Sequence, residues 1–402
     1  MRKLFLLLSI ALVLSSCHHR DEPDPVAISR TVLVYMVADN SLTANVEANV
    51  DSMVLGFKNT PNAGNLIIYL DDTNKTPVLF KLKKNNNGSV SKEVIKNYSE
   101  QNSLDVSVMK GIFSDVYTSY PADSYGLILW SHGYSWLPSP STKTISPKWF
   151  GQDNSSTSQG NTNSFMDIPD LAEALKATPY LDFLIFDACY MSSVEVAYEL
   201  KDRAEYLIVA PNEILDSGMP YKEIIKPIFS SEKNYKDIPY QFFYFYNSVN
   251  VEHRLNSAIA MIKCSEISNL AAATKKIIAA HPSEFSTIVP GSIQLYDRET
   301  YANHFAYDFG QLIEEIATPE EWTSFQKQLN ATVVYKAATN FTGPYLPTDP
   351  KNSGAELQID PNHFSGLGAY IPKASQTTYI NFFKTLSWFD ASGWNQTAWG
   401  AN

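Results

Sequence analysis

The sequence predicts an α/β fold in which helices cover both faces of a mostly parallel central sheet. Residues 127–130 and 181–186 form almost unbroken apolar runs, which is typical of strands that are buried on both faces. Segments with helical character separate such runs, so strands and helices alternate along the chain. With 402 residues, of which 44% are hydrophobic and 18% are charged, the chain can bury a large core.

The N-terminus predicts an export signal. Arg2 and Lys3 precede an apolar stretch, residues 4–14, that is too short to span a membrane. The next residues, Leu-Ser-Ser-Cys, resemble a bacterial lipobox, which predicts a leader over residues 1–16 and a lipid on Cys17; a plain secretory cleavage site is the alternative. Residues 17–29 are polar and contain proline, as expected of a flexible tether. We therefore expect an exported lipoprotein of the outer membrane or cell surface, bound to the membrane through its lipid anchor only.

The rest of the chain alternates between the two element types. Residues 31–38 form the first strand, and Asn40 and Ser41 suit a helix start because such side chains cap helix N-termini. Further strands are predicted at 65–70, 78–82, 206–210, 257–262 and 367–371, and helices at 105–117, 221–229, 240–249, 267–280 and 322–337. We place a core domain at residues 30–265 and a C-terminal α/β extension, packed on it, at residues 266–402.

Charge and cysteine content limit the partners. The formal net charge is −11, which disfavours binding to nucleic acid, and we expect a monomer. Three cysteines are too few for a disulfide framework. Cys264 ends an apolar run and is predicted to be a small core residue, with a bridge to Cys189 in an oxidising compartment as the alternative.

A cysteine follows the strand 181–186. Ser192 and Glu195 have the spacing of a capping box, so we expect a helix to begin near Ser193. Cys189 then lies between the strand end and the helix start. The helix N-terminus, and any neighbouring imidazolium, would favour the thiolate form that attacks carbonyl carbons.

A histidine follows the strand 127–130 in the same way. His132 precedes Cys189 by 57 positions, which leaves room for one βαβ unit between two parallel neighbouring strands. Because ligands bind at the carboxyl ends of such strands, both side chains are expected in one crevice. Cys189 could act there as nucleophile and His132 as proton carrier, with the backbone N–H groups of Gly133 and Cys189 as oxyanion donors. A buried cysteine and a hydrogen-bonded histidine without catalytic roles are the structural alternatives.

Two motifs carry a family resemblance. The segments YGLILWSHG and LIFDACYMSSVE resemble the clostripain family of cysteine peptidases, as do TVLVYMVADNSLTANVEANV and FSGLGAYIP. The resemblance implies a caspase-like (caspase-hemoglobinase) sandwich and a dyad of His132 and Cys189. Two departures, Tyr134-Ser135-Trp136 in place of a glycine-rich sequence and Pro211 after a strand, put substrate preference in doubt.

The resemblance also implies selection of Arg or Lys by a carboxylate. Asp187 holds the matching motif position, and Asp216, in the loop after the next strand, is a second candidate. A carboxylate pairs well with a guanidinium or an ammonium group. The alternative is that Asp187 caps local backbone amides and never meets substrate.

Self-cleavage and calcium are two further implications. The insertion at residues 138–163 is polar and expected to be exposed, and Lys143 and Lys148 are its only basic residues. The family is commonly activated by cleavage after a basic residue in this region; an uncleaved loop is the alternative. The family often uses calcium, which Asp71 and Asp72 could hold, although a solvated turn suits them better.

Two functional hypotheses result. The first is a lipid-anchored cysteine endopeptidase that cleaves protein or peptide substrates after Arg or Lys. The second is a surface capture lipoprotein that binds glycans or peptides and whose Cys–His pair is vestigial. Hydrolysis of peptides ending in Arg or Lys would separate the two.

Overall fold

The computed structural model describes residues 29–61, 64–138, 149–154, 156–157, 160–161, 164–248, 257–299, 303–342 and 357–400. The predicted leader, Cys17, Lys143 and Lys148 lie outside these ranges.

A nine-stranded sheet forms the centre of the fold. Its strands lie in the order β14-β12-β11-β10-β5-β1-β2-β3-β4. The strands of the structure are β1 (Arg30–Ala38), β2 (Asn65–Asp72), β3 (Lys75–Lys84), β4 (Val90–Asn97), β5 (Ser124–Trp130), β6 (Phe150–Asp153), β7 (Ser156–Thr157), β8 (Gly160–Asn161), β9 (Ser164–Met166), β10 (Leu181–Asp187), β11 (Ala204–Val209), β12 (Ala258–Lys263), β13 (Tyr307–Asp308), β14 (Val333–Ala338), β15 (Phe341–Thr342), β16 (Leu357–Gln358) and β17 (Gly368–Ala369). The five central strands are parallel to one another, and only β3 and β12 run against them. The predicted mostly parallel sheet is confirmed.

Helices cover both faces of this sheet. They are α1 (Val46–Lys58), α2 (Val106–Ser119), α3 (Ile168–Ala174), α4 (Val194–Leu200), α5 (Tyr221–Ile228), α6 (Asp237–Tyr246), α7 (Ile267–Ala280), α8 (Pro282–Thr287), α9 (Phe309–Glu314), α10 (Pro319–Thr332), α11 (Thr377–Phe383) and α12 (Ser387–Ala391). Along β1, Leu33 and Tyr35 enter one apolar cluster whereas Val34 and Met36 enter the other, because successive side chains of a strand point to opposite faces. Helices α1, α5 and α6 pack in the second cluster, and α2, α3, α4, α7 and α10 pack in the first.

The C-terminal part of the chain shares the central sheet. β14 pairs antiparallel with β12 and forms one edge. In and after β17, the same part of the chain contacts the start of α4. The N–H of Gly368 donates to Ser192 O at 2.7 Å, and the N–H of Tyr370 donates to the buried carboxylate of Glu195 at 2.9 Å. The segment around β17 therefore supports the start of α4.

Three local predictions are wrong. The predicted capping box at Ser192 does not form: Ser193 is the N-cap of α4, and its side chain accepts from the N–H of Val196. The helix predicted at residues 322–337 ends at Thr332, and β14 follows. The insertion after His132 is not exposed throughout, because Trp149 and Phe150 are buried and β6 pairs with β9.

No helix in the described ranges combines the length and the apolar character that crossing a membrane requires. Cys189 and Cys264 are both free, and Cys264 is buried at the end of β12, as expected of a small core residue.

Candidate active site

A pocket of about 560 Å³ opens at the carboxyl ends of β5 and β10. These strands pair in parallel, with Trp130 opposite Asp187, so the residues that follow each strand emerge at the same edge of the sheet. The pocket is lined by Leu42, Trp130, Ser131, His132, Gly133, Tyr134, Asp187, Ala188, Cys189, Tyr190, Glu213, Ile214, Leu215, Asp216 and Gly218. His132, Gly133, Cys189, Asp187 and Asp216 are thus brought together as predicted.

His132 is half-buried, and its ring is held from the side of β1. Its Nε2 lies 2.9 Å from the hydroxyl oxygen of Ser41. Burial lowers the pKa of His132, because removal from water disfavours the charged ring. Burial therefore favours the neutral imidazole, the form that accepts a proton.

The thiol of Cys189 is held by the opposite wall. The N–H of Ile214 donates to Sγ at 3.3 Å, and Sγ lies 3.7 Å from Ile214 O. Burial raises the pKa of Cys189 to about 12; the Glu213 carboxylate adds to the rise, whereas the Ile214 N–H and Arg298 oppose it. The expectation that the helix N-terminus favours the thiolate is wrong for this arrangement, since α4 begins five residues later and burial dominates.

His132 and Cys189 do not hydrogen-bond to each other. Within the described part of the chain, the ring binds Ser41 and the sulfur binds the Ile214 peptide. Both side chains nevertheless line one pocket.

Gly133 brings the histidine loop against the cysteine loop. A Cβ atom at this position would lie 2.5 Å from Cys189 O and 3.1 Å from Cys189 N, so only glycine permits the contact. The N–H groups of Gly133 and Cys189 donate to no described residue. The bridge between Gly133 and Phe150 is formed by other groups: the N–H of Tyr134 donates to Trp149 O, and the N–H of Gly151 donates to His132 O. Among the described residues, the Gly133 and Cys189 N–H groups thus have no acceptor, and both belong to residues that line the pocket.

Asp187 is a buried residue that lines the pocket. Its buried Oδ2 accepts from the N–H of Met219 at 3.0 Å and from the Tyr221 hydroxyl at 2.7 Å. Burial raises the pKa of Asp187 to about 6, and these two hydrogen bonds limit the rise. Gly218, at φ +69°, passes so close that a Cβ atom would lie 2.7 Å from the same oxygen. The carboxylate thus has local partners and also borders the pocket.

Asp216 and Glu213 occupy the rim. Asp216 is exposed, and its backbone carbonyl accepts from the Asn45 side chain at 2.6 Å. The Glu213 carboxylate accepts from Nε of Arg298 at 2.8 Å, which ties this rim to the C-terminal region. No sequence pattern indicated a role for Arg298 or Ser41 at the pocket, because each contacts a pocket residue, Glu213 or His132, from a segment distant in the chain.

Two residues beside the pocket have left-handed backbone conformations. Ser135 has φ +62° and Tyr190 has φ +61°. Such conformations cost free energy for residues other than glycine and are enriched at functional sites. The Ser135 hydroxyl donates to the Ser193 hydroxyl at 3.1 Å, and the N–H of Tyr190 donates to Asn212 O at 2.9 Å. The first contact joins the histidine loop to the start of α4, and the second joins the cysteine loop to the loop that follows β11.

No metal site is evident among the described residues. Asp71 is buried and accepts from the hydroxyl of Ser103, and no group of three or more His, Cys, Asp or Glu side chains in those ranges is arranged to hold a metal ion. The structure therefore assigns calcium to no described residues.

The profile of the clostripain family matches residues 34–399, which is most of the chain. The chain belongs to the clostripain family. Clostripain of Hathewaya histolytica is 26% identical over 223 residues, which cover 49% of this chain and 42% of that protein. The match thus spans less than half the length of this curated family member.

Solved structures extend the comparison to nearly the whole chain. A secreted C11 cysteine protease from Bacteroides thetaiotaomicron, in complex with an irreversible peptide inhibitor, is 32% identical with a TM-score of 0.77 over 92% of this chain and 100% of that one. An inactive zymogen C11 protease from Parabacteroides distasonis is 33% identical with a TM-score of 0.78 over 92% and 99%. The caspase-like fold is confirmed, and family and neighbours support the prediction of a cysteine peptidase.

Proposed function

We propose that this clostripain-family chain is a cysteine endopeptidase that hydrolyses peptide bonds after Arg or Lys, with Cys189 as nucleophile and His132 as proton carrier. The observation that carries the proposal is the single pocket that His132, Cys189 and Asp187 all line. The N–H groups of Gly133 and Cys189, which also line it, donate to no residue in the described part of the chain. A nucleophile, a base, oxyanion donors and a buried acid in one pocket suit acyl transfer from a basic residue.

The reaction would begin from a neutral pair. Since burial raises the pKa of Cys189 and lowers that of His132, the thiol proton passes to the imidazole as sulfur attacks the carbonyl carbon. The carbonyl oxygen becomes an oxyanion and accepts from the Gly133 and Cys189 N–H groups. The imidazolium then protonates the leaving amine, which leaves a thioester. Water attacks the thioester and gives one proton to His132. The C–S bond breaks, the acid leaves, and the imidazolium returns the proton to the sulfur of Cys189, which regenerates the neutral pair.

Specificity would come from the acids that line the pocket. A substrate Arg or Lys side chain entering beside Gly218 would approach the buried carboxylate of Asp187, with Asp216 at the rim as a second acidic group. The pairing is strong because the carboxylate is shielded from water. Replacement of each acid separately, by Asp187→Asn and Asp216→Asn, would assign the role. Loss of the preference for basic residues in one variant identifies that acid, and unchanged preference in both rejects both.

Processing and location complete the proposal. We infer export as a lipoprotein anchored through Cys17, a monomeric protein with its core at residues 30–265, and activation by cleavage after Lys143 or Lys148. The inactive zymogen among the structural neighbours supports activation by cleavage. The secreted enzyme among them supports export. Intact mass spectrometry of the stored protein tests the cleavage. A single uncut species that hydrolyses peptides would exclude activation by cleavage. Assays with and without calcium test the metal requirement.

The decisive experiment is hydrolysis of fluorogenic peptides. Purified full-length protein is assayed with substrates that end in Arg, Lys or Ala, beside Cys189→Ala, before and after treatment with trypsin. The trypsin is then inactivated with a serine-protease inhibitor, because it cleaves after Arg and Lys itself. We expect cleavage of the Arg and Lys substrates by the wild type and none by the variant. Equal inactivity of both proteins in every condition would instead favour a surface capture protein with a vestigial Cys–His pair.

A further inference from the structure

We infer that Ser41 is a positioning residue for His132, which it holds through the ring Nε2 so that Nδ1 serves Cys189 and the leaving amine. The inference rests on the proposed function. It adds a third side chain, from the end of β1, to a site whose other members follow β5 and β10.

The contact itself is well defined. The Ser41 hydroxyl oxygen lies 2.9 Å from Nε2 of His132, a normal hydrogen-bond distance. A hydroxyl both donates and accepts, so it can bind this nitrogen in either tautomer of the neutral ring and when the ring is protonated. In the described part of the chain, His132 makes no other side-chain hydrogen bond, so Nδ1 is the nitrogen left for the reaction.

The surrounding backbone fixes Ser41 and His132 relative to each other. The preceding residues, Asn40 and Ser131, are buried and both donate to Val37 O, at 2.9 Å and 2.8 Å. The Asn40 amide also donates to Gln152 O at 2.7 Å, and its side-chain oxygen accepts from the N–H of Leu42 at 2.8 Å. Since each partner follows an anchored residue, the hydrogen bond forms between two positions that are already set.

No carboxylate competes for this role among the described residues. Burial alone accounts for the lowered pKa of His132, without a contribution from an acidic neighbour. Glu213 is tied to Arg298, and Asp187 to Met219 and Tyr221. An orienting partner for a catalytic imidazole is a general requirement, and here Ser41 is the side chain that supplies it.

The test compares Ser41→Ala with Ser41→Thr and with Thr43→Ala. Thr43 lies in the same 3₁₀ turn, and its hydroxyl contacts Thr73, not His132. With an Arg-ended fluorogenic peptide, we expect Ser41→Ala to lower kcat about three- to tenfold with KM unchanged, as for loss of one hydrogen bond. Ser41→Thr should restore most of kcat, and Thr43→Ala should resemble the wild type. An unchanged kcat in Ser41→Ala, or equal losses in Ser41→Ala and Thr43→Ala, would overturn the inference.

A second readout does not depend on activity. Ring ¹⁵N NMR resonances of His132, assigned by their loss in His132→Gln, report the tautomer and the hydrogen bond. We expect them to shift in Ser41→Ala and to stay in place in Thr43→Ala. If the wild type proves inert toward peptides, the proposed function fails, yet these resonances still decide whether Ser41 holds the ring. Identical His132 resonances in wild type and Ser41→Ala would refute the positioning role.

Discussion

At the scale of single residues, burial of Asp187 couples substrate preference to pH. Its pKa is raised to about 6 by burial, so the carboxyl group is largely neutral below that pH and charged above it. Only the charged form pairs with Arg or Lys. We therefore predict that the ratio of kcat/KM for Arg-ended over Ala-ended peptides increases as pH rises through about 6.

The ratio of kcat/KM between the Arg-ended and Ala-ended peptides isolates the titration of Asp187, because titration of His132 acts on both substrates. In Asp187→Asn the ratio should be low and independent of pH between 5 and 8. If the variant keeps the wild-type profile, Asp187 does not set the preference. The exposed acid Asp216 would then be the group to examine.

Gly133 tests the close contact of the two loops. Because a Cβ atom would lie 2.5 Å from Cys189 O, Gly133→Ala should push the histidine loop away from the cysteine and disturb the oxyanion donors. We predict a loss of kcat/KM of about 100-fold or more, the order found when one such donor is removed. Gly291→Ala is the matched control, since its added Cβ meets no atom within 4 Å. Full activity in Gly133→Ala would contradict the proposed oxyanion site.

At the scale of elements, α2 offers two substitutions of opposite sign. Asp105 is its N-cap and accepts from the N–H groups of Ser107 and Val108, so Asp105→Ala should lower the free energy of unfolding by about 1 kcal/mol. Gly111 lies within the helix with open space around it, so Gly111→Ala should raise that free energy by up to about 1 kcal/mol. Denaturant unfolding of both variants measures the two changes, and peptidase activity should not change. Shifts of the same sign would show that tertiary packing, not helix propensity, determines the stability of α2.

Elements whose pattern is local could be predicted from the sequence. The helix 267–280 and the strands at 31–38 and 181–186 match α7, β1 and β10 within one residue, because unbroken apolar runs and helical spacing arise from each segment alone. The failures involve distant partners. Val333, Val334 and Tyr335 have strand propensity, but their pairing with β12 joins segments about 75 positions apart.

The capping box predicted at Ser192 is wrong for the same reason, although α4 begins close to the predicted position. Ser192 donates to Gly366 O, and Glu195 accepts from the N–H of Tyr370, so both side chains of the expected capping box are occupied by the C-terminal region. The pocket shows the same division. His132 and Cys189 are predicted from strand ends and Asp187 from the family resemblance, whereas the contact of Ser41 with the ring depends on how β1 and β5 pair.

At the scale of the whole molecule, three buried carboxyl groups shape the dependence of stability on pH. Burial raises the pKa of Asp71 to about 8, of Glu195 to about 7 and of Asp187 to about 6. For an acid, a folded pKa above the unfolded value of about 4 means that the folded state binds more protons between those values. The free energy of unfolding should therefore fall as pH rises from about 4 to 8, and we predict a falling Tm over that range.

Asp71 should contribute the largest part of this dependence. It is buried beside Asp153, which also raises its pKa, and its Oδ1 has no hydrogen-bond partner among the described residues. Asp71→Asn keeps the shape and an acceptor for the Ser103 hydroxyl but cannot become charged. Relative to wild type, the Tm of this variant should change little at pH 5 and be higher at pH 8. The increase at pH 8 should correspond to at least about 1 kcal/mol in the free energy of unfolding, since one pKa unit is worth about 1.4 kcal/mol. Asp51→Asn, at an exposed position on α1, should keep the wild-type pH profile. Parallel Tm profiles for wild type and Asp71→Asn would show that Asp71 is charged in the folded protein throughout, and that the pH dependence arises elsewhere.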